Sequence, residues 1–255
     1  MAKDTKKKLP QFTTPRGVFV YPKLSEPDYG TKDYPKPDGE YSLKFRMSHS
    51  DAEAFVNRKV KHGNESFSIQ SIYEDALRNA ERLFGELKLE SRKKLGSVKP
   101  NALFTVLYDQ DTEEPTGEVE FKFKMKASGE FKKGPKAGTK WNRKPDIFDA
   151  RGVKITKGVQ IWGGTEGKVS FGIGTDKDGV PGYFVAGTAA AGLTLQLSAV
   201  QIISLVSAGQ RSADSYGFGE EEGFGYDPDD YREDDAGEDK SNEGSSESQA
   251  GEDDF

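Results

Sequence analysis

The stretch VEFKFKMKA (residues 119–127) decides the fold, because apolar and polar side chains alternate along it without a break. Every odd-numbered residue in it is apolar, and every even-numbered residue is Glu or Lys. A period of two is typical of a β-strand with one buried face. The sequence therefore predicts a strand that packs one face into a core and presents Lys122, Lys124 and Lys126 on the other.

Other segments repeat this strand signature. The alternation returns at residues 41–47, and residues 193–206 alternate before a more continuously apolar end. Shorter apolar runs bounded by turn residues predict further strands at 17–21, 103–108, 154–155, 159–162 and 168–173. Prolines recur between residues 10 and 37, which outside the short strand predicts extended, irregular chain.

A helical insert separates two of the predicted strands. SHSD (residues 48–51) offers helix-capping side chains, and residues 68–87 carry apolar side chains at helical spacing. Short strands around one helical insert predict a mainly β protein. We favour an OB-fold-like barrel followed by a disordered acidic C-terminal tail, although the pattern alone also permits a β-sandwich.

The net charge of −6 conceals two segments of opposite sign. Residues 212–255 contain 17 Asp and Glu against two basic residues, a net charge of −15, whereas the remaining 211 residues carry +9. The acidic segment contains no Leu, Ile, Val or Met, so it cannot bury enough surface to offset the entropy of ordering. We predict a flexible basic arm (1–9), an OB-fold-like binding domain (10–211) and a disordered tail (212–255).

Several kinds of chemistry are excluded by residue type. The chain has no cysteine, and its two histidines, His49 and His62, lack the partners of a catalytic site. GGTEGK (163–168) is one residue short of a phosphate-binding loop, and Val169 stands where Ser or Thr should hold magnesium. The sequence predicts no enzyme activity, no cofactor and no membrane-spanning segment.

Residues 122–144 form the segment that best matches a binding function. Together with two residues further along the chain, Trp162 and Tyr183, the candidate nucleic-acid-binding residues are Lys122, Lys124, Lys126, Lys132, Lys133, Trp141, Arg143 and Lys144. Positive side chains neutralise phosphates, and aromatic rings stack on bases of any sequence. This combination predicts binding of single strands without strong sequence preference, the alternative being a charged strand face followed by a lysine-rich loop.

Three short blocks and the end of the chain carry a resemblance to a known family. The blocks are EPDYG (26–30), FKFK followed by AS (121–124 and 127–128) and GLTLQLSAV (192–200), and the acidic tail closes on Asp253, Asp254 and Phe255. In this order they resemble the single-stranded DNA-binding proteins of lytic short-tailed bacteriophages.

The resemblance implies an OB-fold body with a DNA groove, in which Lys124 is a groove lysine and Tyr183 stacks on a base. It also implies that the tail competes with DNA for the groove. Through Asp253, Asp254 and Phe255 the tail would bind the phage DNA polymerase and helicase-primase. A homodimer that acts in DNA replication and recombination, in the cytoplasm of the infected bacterial host, is implied as well.

Two positions depart from the family pattern. Lys126 stands where a family member has a tyrosine, which removes a stacking contact that Trp141 or Trp162 would have to replace. Asp38 lies near the start of the second strand, where a basic residue is expected and only Lys36 is close.

Two other functions stay open on the sequence alone. An interaction protein, such as a DNA mimic or an assembly factor, would use the acidic tail to occupy basic protein surfaces. A metal-dependent nuclease would need a cluster of carboxylates, and the spacing of the acidic residues between 109 and 120 singles out none.

Overall fold

The structure is a computed structural model that describes residues 9–132, 134–156, 158–176 and 178–206. The predicted acidic tail, residues 1–8 of the predicted arm, Lys133 and the boundary at residue 211 lie outside the described residues. Among the helices of the described part, none is both long and apolar enough to cross a membrane.

The described residues form three helices and fifteen strands. In chain order they are β1 (Phe12–Thr13), β2 (Gly17–Gly30), β3 (Pro35–Ser48), α1 (His49–Asn57), β4 (Val60–His62), β5 (Glu65–Phe67), α2 (Ile69–Gly85), α3 (Leu89–Leu95), β6 (Lys99–Pro100), β7 (Thr105–Tyr108), β8 (Pro115–Lys126), β9 (Ser128–Glu130), β10 (Lys140–Asn142), β11 (Asp146–Phe148), β12 (Glu166–Ile173), β13 (Tyr183–Val185), β14 (Ala190–Gly192) and β15 (Leu195–Ser204).

Five of these strands close into a barrel. β2 pairs with β3, and β3 pairs with β8, both in antiparallel orientation. β8 then pairs with β15 in parallel, β15 pairs antiparallel with β12, and β12 returns antiparallel to β2. Numbered along the chain, the barrel strands follow the order 1-2-3-5-4-1. The mainly β prediction and the OB-fold-like barrel are confirmed, and the sandwich alternative is wrong because the sheet closes on itself.

Aromatic rings fill the interior of the barrel. Phe19, Phe45, Phe121, Phe123 and Phe171 are fully buried, and each comes from the inward face of a barrel strand. The ring centroids of Phe123 and Phe171 lie 4.8 Å apart, and those of Phe45 and Phe123 lie 6.2 Å apart. Small barrels have room inside only for side chains, so this ring cluster is the core. Each buried ring contributes roughly 1.5 to 3 kcal/mol to folding.

The predicted helical insert is confirmed. Ser48 accepts a hydrogen bond from the Asp51 amide at the start of α1, and Ser68 forms a capping box with Ser71 at the start of α2. The insert lies between the second and third barrel strands, and α2 packs against β13 and β14. The contact is close, because a Cβ on Gly182 would lie 2.6 Å from the Cβ of Ala76.

The prediction of irregular chain between residues 10 and 37 is wrong. β2 continues through Pro22 and Pro27 to Gly30, where the sequence indicated a strand of only 17–21. Both prolines fall where the register with β3 shifts, and Tyr21, with φ at 47°, marks the first shift. A proline at such a shift removes no ladder hydrogen bond, which is why the strand survives it.

Two other predicted strands are not formed. Residues 159–162 follow β2 without a backbone ladder, held instead by the Ser25 hydroxyl, which donates to the Val159 carbonyl at 2.9 Å. Lys154 forms only an isolated bridge with Phe148. The apolar character of these short runs reflects their contact with the barrel rather than membership of the sheet.

The barrel closes where two glycines face each other. Gly167 on β12 pairs with Gly17 on β2. A Cβ on Gly17 would lie 2.6 Å from the Phe45 ring, and a Cβ on Gly167 would lie 2.7 Å from the Phe19 ring. Strand glycines mark such close approaches, and here they make room for two core rings.

Replacing Gly167 by alanine should destabilise the barrel, because the new methyl group meets the Phe19 ring and the Gln201 carbonyl. We expect a loss of about 1 to 3 kcal/mol in the free energy of unfolding, measured by urea denaturation. Gly163→Ala is the matched control, since its Cβ would find no atom closer than 3.9 Å. Equal stability of the two variants would contradict this account of the closure.

Candidate nucleic-acid interface

The outward face of β8 carries the lysines that the sequence predicted. Phe121 and Phe123 point into the core, while Lys122, Lys124 and Lys126 point to the other side. Strands rise about 3.3 Å per residue, so the three ammonium groups are anchored along roughly 13 Å of strand. The lysines therefore form a row across the barrel surface.

One end of the row opens into a cleft that contains Tyr183, which we call the tyrosine cleft. It is lined by Asn101, Thr105, Lys122, Lys124, Tyr183 and Thr194, among others. The Asn101 side-chain amide donates to the Tyr183 hydroxyl at 2.7 Å, which fixes the tip of the ring. The structure thus brings Tyr183 together with Lys122 and Lys124, although it lies 59 residues beyond Lys124 in the sequence.

Tyr183 reaches the cleft through a small sheet that the sequence did not predict. β14 pairs antiparallel with β13 and parallel with β6, so it joins the helical insert to the connection between the last two barrel strands. Tyr183 lies directly opposite Gly192 in this sheet. A Cβ on Gly192 would lie 3.1 Å from the Tyr183 hydroxyl, so glycine at that position leaves space for the side chain.

The other end of the row opens into a second cleft, the arginine cleft. It is lined by Glu40, Lys124, Lys126, Arg143, Thr194 and Gln196, among others. Lys124 and Thr194 line both the arginine cleft and the tyrosine cleft. The two clefts are therefore neighbours along the lysine row.

Trp141 stands beside the arginine cleft in a short hairpin formed by β9 and β10. It lies directly opposite Gly129, and a Cβ on that glycine would approach the indole to 2.8 Å at Cε2 and closer still at Cζ2. The guanidinium of Arg143 lies over the indole, 4.2 Å from the ring centroid, in a cation–π contact. The half-buried ring is therefore held by both neighbours.

Three predicted residues lie elsewhere. Lys144 and Trp162 line a separate tryptophan cleft, together with Lys23, Glu26 and Gln160. Trp162 is 49% exposed, but it shares no cleft with the lysine row. The third, Lys132, is exposed in the turn between β9 and β10. Trp141 lines none of these clefts either, but it contacts Arg143, which lines the arginine cleft together with Lys124 and Lys126.

Carboxylates on the same surface occupy some of the basic groups. Lys44 pairs with Glu120 at 2.7 Å, and Lys126 pairs with Asp38 at 2.8 Å. Among the described residues, Lys122 and Lys124 have no carboxylate within ion-pair distance. These two lysines are the cations of the row that are free to meet an anionic ligand.

Lys36 is engaged by two carboxylates near the start of β3. Its Nζ donates to Asp28 and to Glu40, each at 2.8 Å. The hydrogen bond to Asp28, followed by that to Glu40, raises the pKa of Lys36. The same bond from Lys36 is the largest of the effects that lower the pKa of Asp28. The charge of Lys36 is therefore balanced within the protein.

Several cleft residues were missed by the sequence analysis. Thr194 and Gln196 lie between the inward-facing leucines of residues 193–197, so the alternation already noted there could have placed them outward. Asn101 carries no such signal. Its position depends on β6 pairing with β14, some 90 residues away, which no local pattern reveals.

The described part of the chain holds no group of three or more His, Asp or Glu side chains arranged to bind a metal ion. His49 packs edge-on against the Phe104 ring, and His62 is exposed in the hairpin of β4 and β5. The Gly163 and Gly164 turn leads into β12 and precedes no helix. It therefore lacks the strand-to-helix context of a phosphate-binding loop.

The barrel is closed in the OB-fold order, and its lysine row runs from the cleft of Tyr183 to that of Arg143, which lies over Trp141. These features define the class of this protein as an OB-fold protein with a candidate nucleic-acid interface. The family model described as "Single-stranded DNA-binding protein, Bacteriophage T7" matches residues 16–205. The chain belongs to this family, which confirms the resemblance found in the sequence.

Solved structures give a comparison of the fold. The crystal structure of gp2.5, a single-stranded DNA-binding protein encoded by bacteriophage T7, matches with a TM-score of 0.51 and 20% identity, covering 86% of this chain and 99% of that chain. A C-terminally truncated single-stranded DNA-binding protein from bacteriophage Enc34 matches with a TM-score of 0.40 and 13% identity, covering 77% and 87%. Among curated protein sequences, none matches this chain. The likeness to gp2.5 shows a shared fold.

The placement of Trp141 against Gly129 leads to a prediction for its fluorescence. Trp162→Phe leaves Trp141 as the single tryptophan. In that background, Gly129→Ala should shift the emission to longer wavelength, because the methyl group pushes the indole away from the hairpin and into water. Gly187→Ala is the control, since a Cβ there meets no atom within 4 Å. An unchanged spectrum in the Gly129 variant would show that the glycine does not position the ring.

Proposed function

We propose that this chain is a non-enzymatic phage single-stranded DNA-binding protein. It coats single strands without strong sequence preference during DNA replication and recombination, in the cytoplasm of the infected bacterial host. Family membership supports the class of ligand, since the matching family model describes single-stranded DNA-binding proteins. The roles in replication and recombination rest on the same kinship.

The observation that carries this proposal is the unpaired lysine pair beside a fixed tyrosine. Lys122 and Lys124 have no carboxylate partner in the described part of the chain, and both line the cleft that holds Tyr183. Phosphates need cations that no internal anion already neutralises, and a base needs an aromatic face. The tyrosine cleft offers both within one continuous surface.

The chemistry of the clefts favours single strands over duplex. In a duplex the bases are stacked on each other and cannot reach a ring that lines a cleft, whereas in a single strand they can. Stacking and phosphate contacts are similar for all four bases, which supports binding without strong sequence preference.

The lysine pair can be tested with a labelled oligothymidine and its duplex counterpart, using fluorescence anisotropy at several salt concentrations. The wild type should prefer the single strand. Lys122→Gln with Lys124→Gln should weaken binding and flatten the slope of log affinity against log salt by about 1.4, since each phosphate contact on a single strand contributes about 0.7.

The matched control is Lys59→Gln with Lys61→Gln, which removes two exposed lysines that line none of the three clefts. If both double variants lost affinity equally, general charge rather than the β8 row would explain binding. If the wild type bound single strands no better than duplex, the proposed function would be wrong.

The acidic segment also has a role in this proposal. Residues 212–255, with a net charge of −15, act as a polyanion that competes with DNA for the basic surface. When DNA occupies that surface, the segment is released and recruits the phage DNA polymerase and helicase-primase through Asp253, Asp254 and Phe255. Its charge supports the competition, and the family resemblance supports the choice of partners and a homodimeric state.

Ending the chain at Arg211 should raise the affinity for single-stranded DNA at low salt, because the competing polyanion is gone. The gain should fade as salt screens the interaction between tail and body. A full-length variant with the tail carboxylates replaced by amides separates the loss of charge from the loss of chain, and it should match the truncated protein.

The same titration decides between this proposal and the alternative function. A truncated protein that binds DNA no better than the intact one would exclude the competition. If neither form bound DNA, the body would lose its proposed role, and the acidic-tail interaction protein would become the leading function.

A further inference from the structure

We propose that Asp38 limits the affinity of the lysine row for DNA, because its carboxylate occupies Lys126 and acts as an internal substitute for a phosphate. The inference rests on the proposed function, since it concerns the strength of the same binding surface. It starts from the ion pair between Lys126 Nζ and Asp38 Oδ2, which are 2.8 Å apart.

The residues of β3 opposite the lysine row change from one end to the other. Lys122 faces Lys44 and Lys124 faces Ser42, whereas Lys126 faces Glu40. Neither Lys44 nor Ser42 carries a carboxylate, so no carboxylate of β3 stands directly opposite the first two lysines. The acidic groups of β3 are thus concentrated at the Lys126 end, which is the end of the arginine cleft.

Lys126 pairs with Asp38 rather than with the residue directly opposite. Glu40 is already engaged by Lys36 at 2.8 Å. Asp38 lies two residues earlier on β3, in the diagonal position that a long side chain can reach. The arrangement leaves Lys126 with one available carboxylate, that of Asp38.

The backbone holds Asp38 in this position. The Ser128 hydroxyl donates to the Asp38 carbonyl at 2.8 Å, and the Ala127 amide donates to the Gly39 carbonyl at 2.9 Å. Gly39 has a φ of 66°, a conformation that favours glycine, and a Cβ there would crowd Tyr29 and Ala127. The turn of the chain at Gly39 therefore fixes Asp38 beside the residues that follow Lys126.

The pair is exposed enough for a phosphate to replace the carboxylate. The Lys126 side chain is 65% exposed and that of Asp38 is 47% exposed. Exposed ion pairs contribute little, so DNA can break this one at a modest loss of affinity. Asp38 therefore tunes binding without abolishing it.

The test compares Asp38→Asn with wild type in the oligothymidine titration. The variant frees Lys126, so we expect affinity to rise about 2- to 5-fold, the range expected for an exposed ion pair. The slope of log affinity against log salt should steepen by about 0.7, which corresponds to one additional phosphate contact.

Two controls separate this mechanism from a change in net charge. Asp75→Asn removes the same charge from an exposed ion pair with Arg78 on α2, neither of which lines the three clefts, and should leave affinity nearly unchanged. Adding Lys126→Gln to Asp38→Asn should cancel the gain and restore the original slope.

The outcomes are distinguishable from those of the proposed function. If the wild type does not bind single strands, both the proposed function and this inference are wrong. A wild type that binds, with Asp38→Asn no tighter than Asp75→Asn, overturns the inference alone. A gain that persists after Lys126→Gln is added overturns it as well, because the gain would then not pass through Lys126.

Discussion

The pleat of β8 is the constraint on which the rest of the molecule depends. Its successive side chains must point to opposite faces, so the residues that fill the barrel and those that form the lysine row are interleaved on one strand. Phe123 packs against the Phe45 and Phe171 rings of other barrel strands, and Phe121 packs against the Phe55 and Phe104 rings. This packing fixes the register that directs Lys122 and Lys124 outward. A slip by one residue would bury lysines and expose phenylalanines, at a large cost in free energy. Core and interface are therefore set by the same interactions.

A different structural arrangement positions the aromatic side chains of the candidate interface. Tyr183 and Trp141 lie outside the barrel, on short strands, and each stands directly opposite a glycine. In both pairs the ring or its hydroxyl occupies the space that a Cβ on Gly192 or Gly129 would approach. Aromatic side chains often cover glycines in this way, and the contact limits the rotamers of the ring. The lysines thus stand on a rigid barrel strand, while the rings are carried by small hairpins at the two ends of the row.

The sequence predicted the parts of this arrangement that have local causes. Alternation identified β8 and the lysine row, capping side chains at residues 48–51 identified α1, and helical spacing identified α2. It failed where the cause is distant. The pairing of β6 with β14, which brings Asn101 to Tyr183, joins two strands of two and three residues that are about 90 positions apart. Prolines concealed the length of β2, because their effect depends on where the register with β3 shifts. On the sequence alone, Trp141 and Trp162 were equal candidates for a place beside the row. Only the fold puts Trp162 in a separate cleft.

Two acidic groups oppose DNA in this account, and they differ in range. The carboxylate of Asp38 lies in direct contact with Lys126, well inside the Debye length of about 10 Å at 0.1 M salt. In the proposal, the acidic segment after residue 211 acts through many carboxylates, with a net charge of −15, so its attraction is a sum of many charge interactions that salt screens together. Competition by the segment should therefore fall more steeply with ionic strength than the effect of Asp38, which involves a single ion pair. A protein that must both cover a strand and release it benefits when the two acidic groups that oppose DNA respond differently to salt. In the two proposals taken together, the segment regulates access when few ions screen it, and Asp38 limits the affinity that remains.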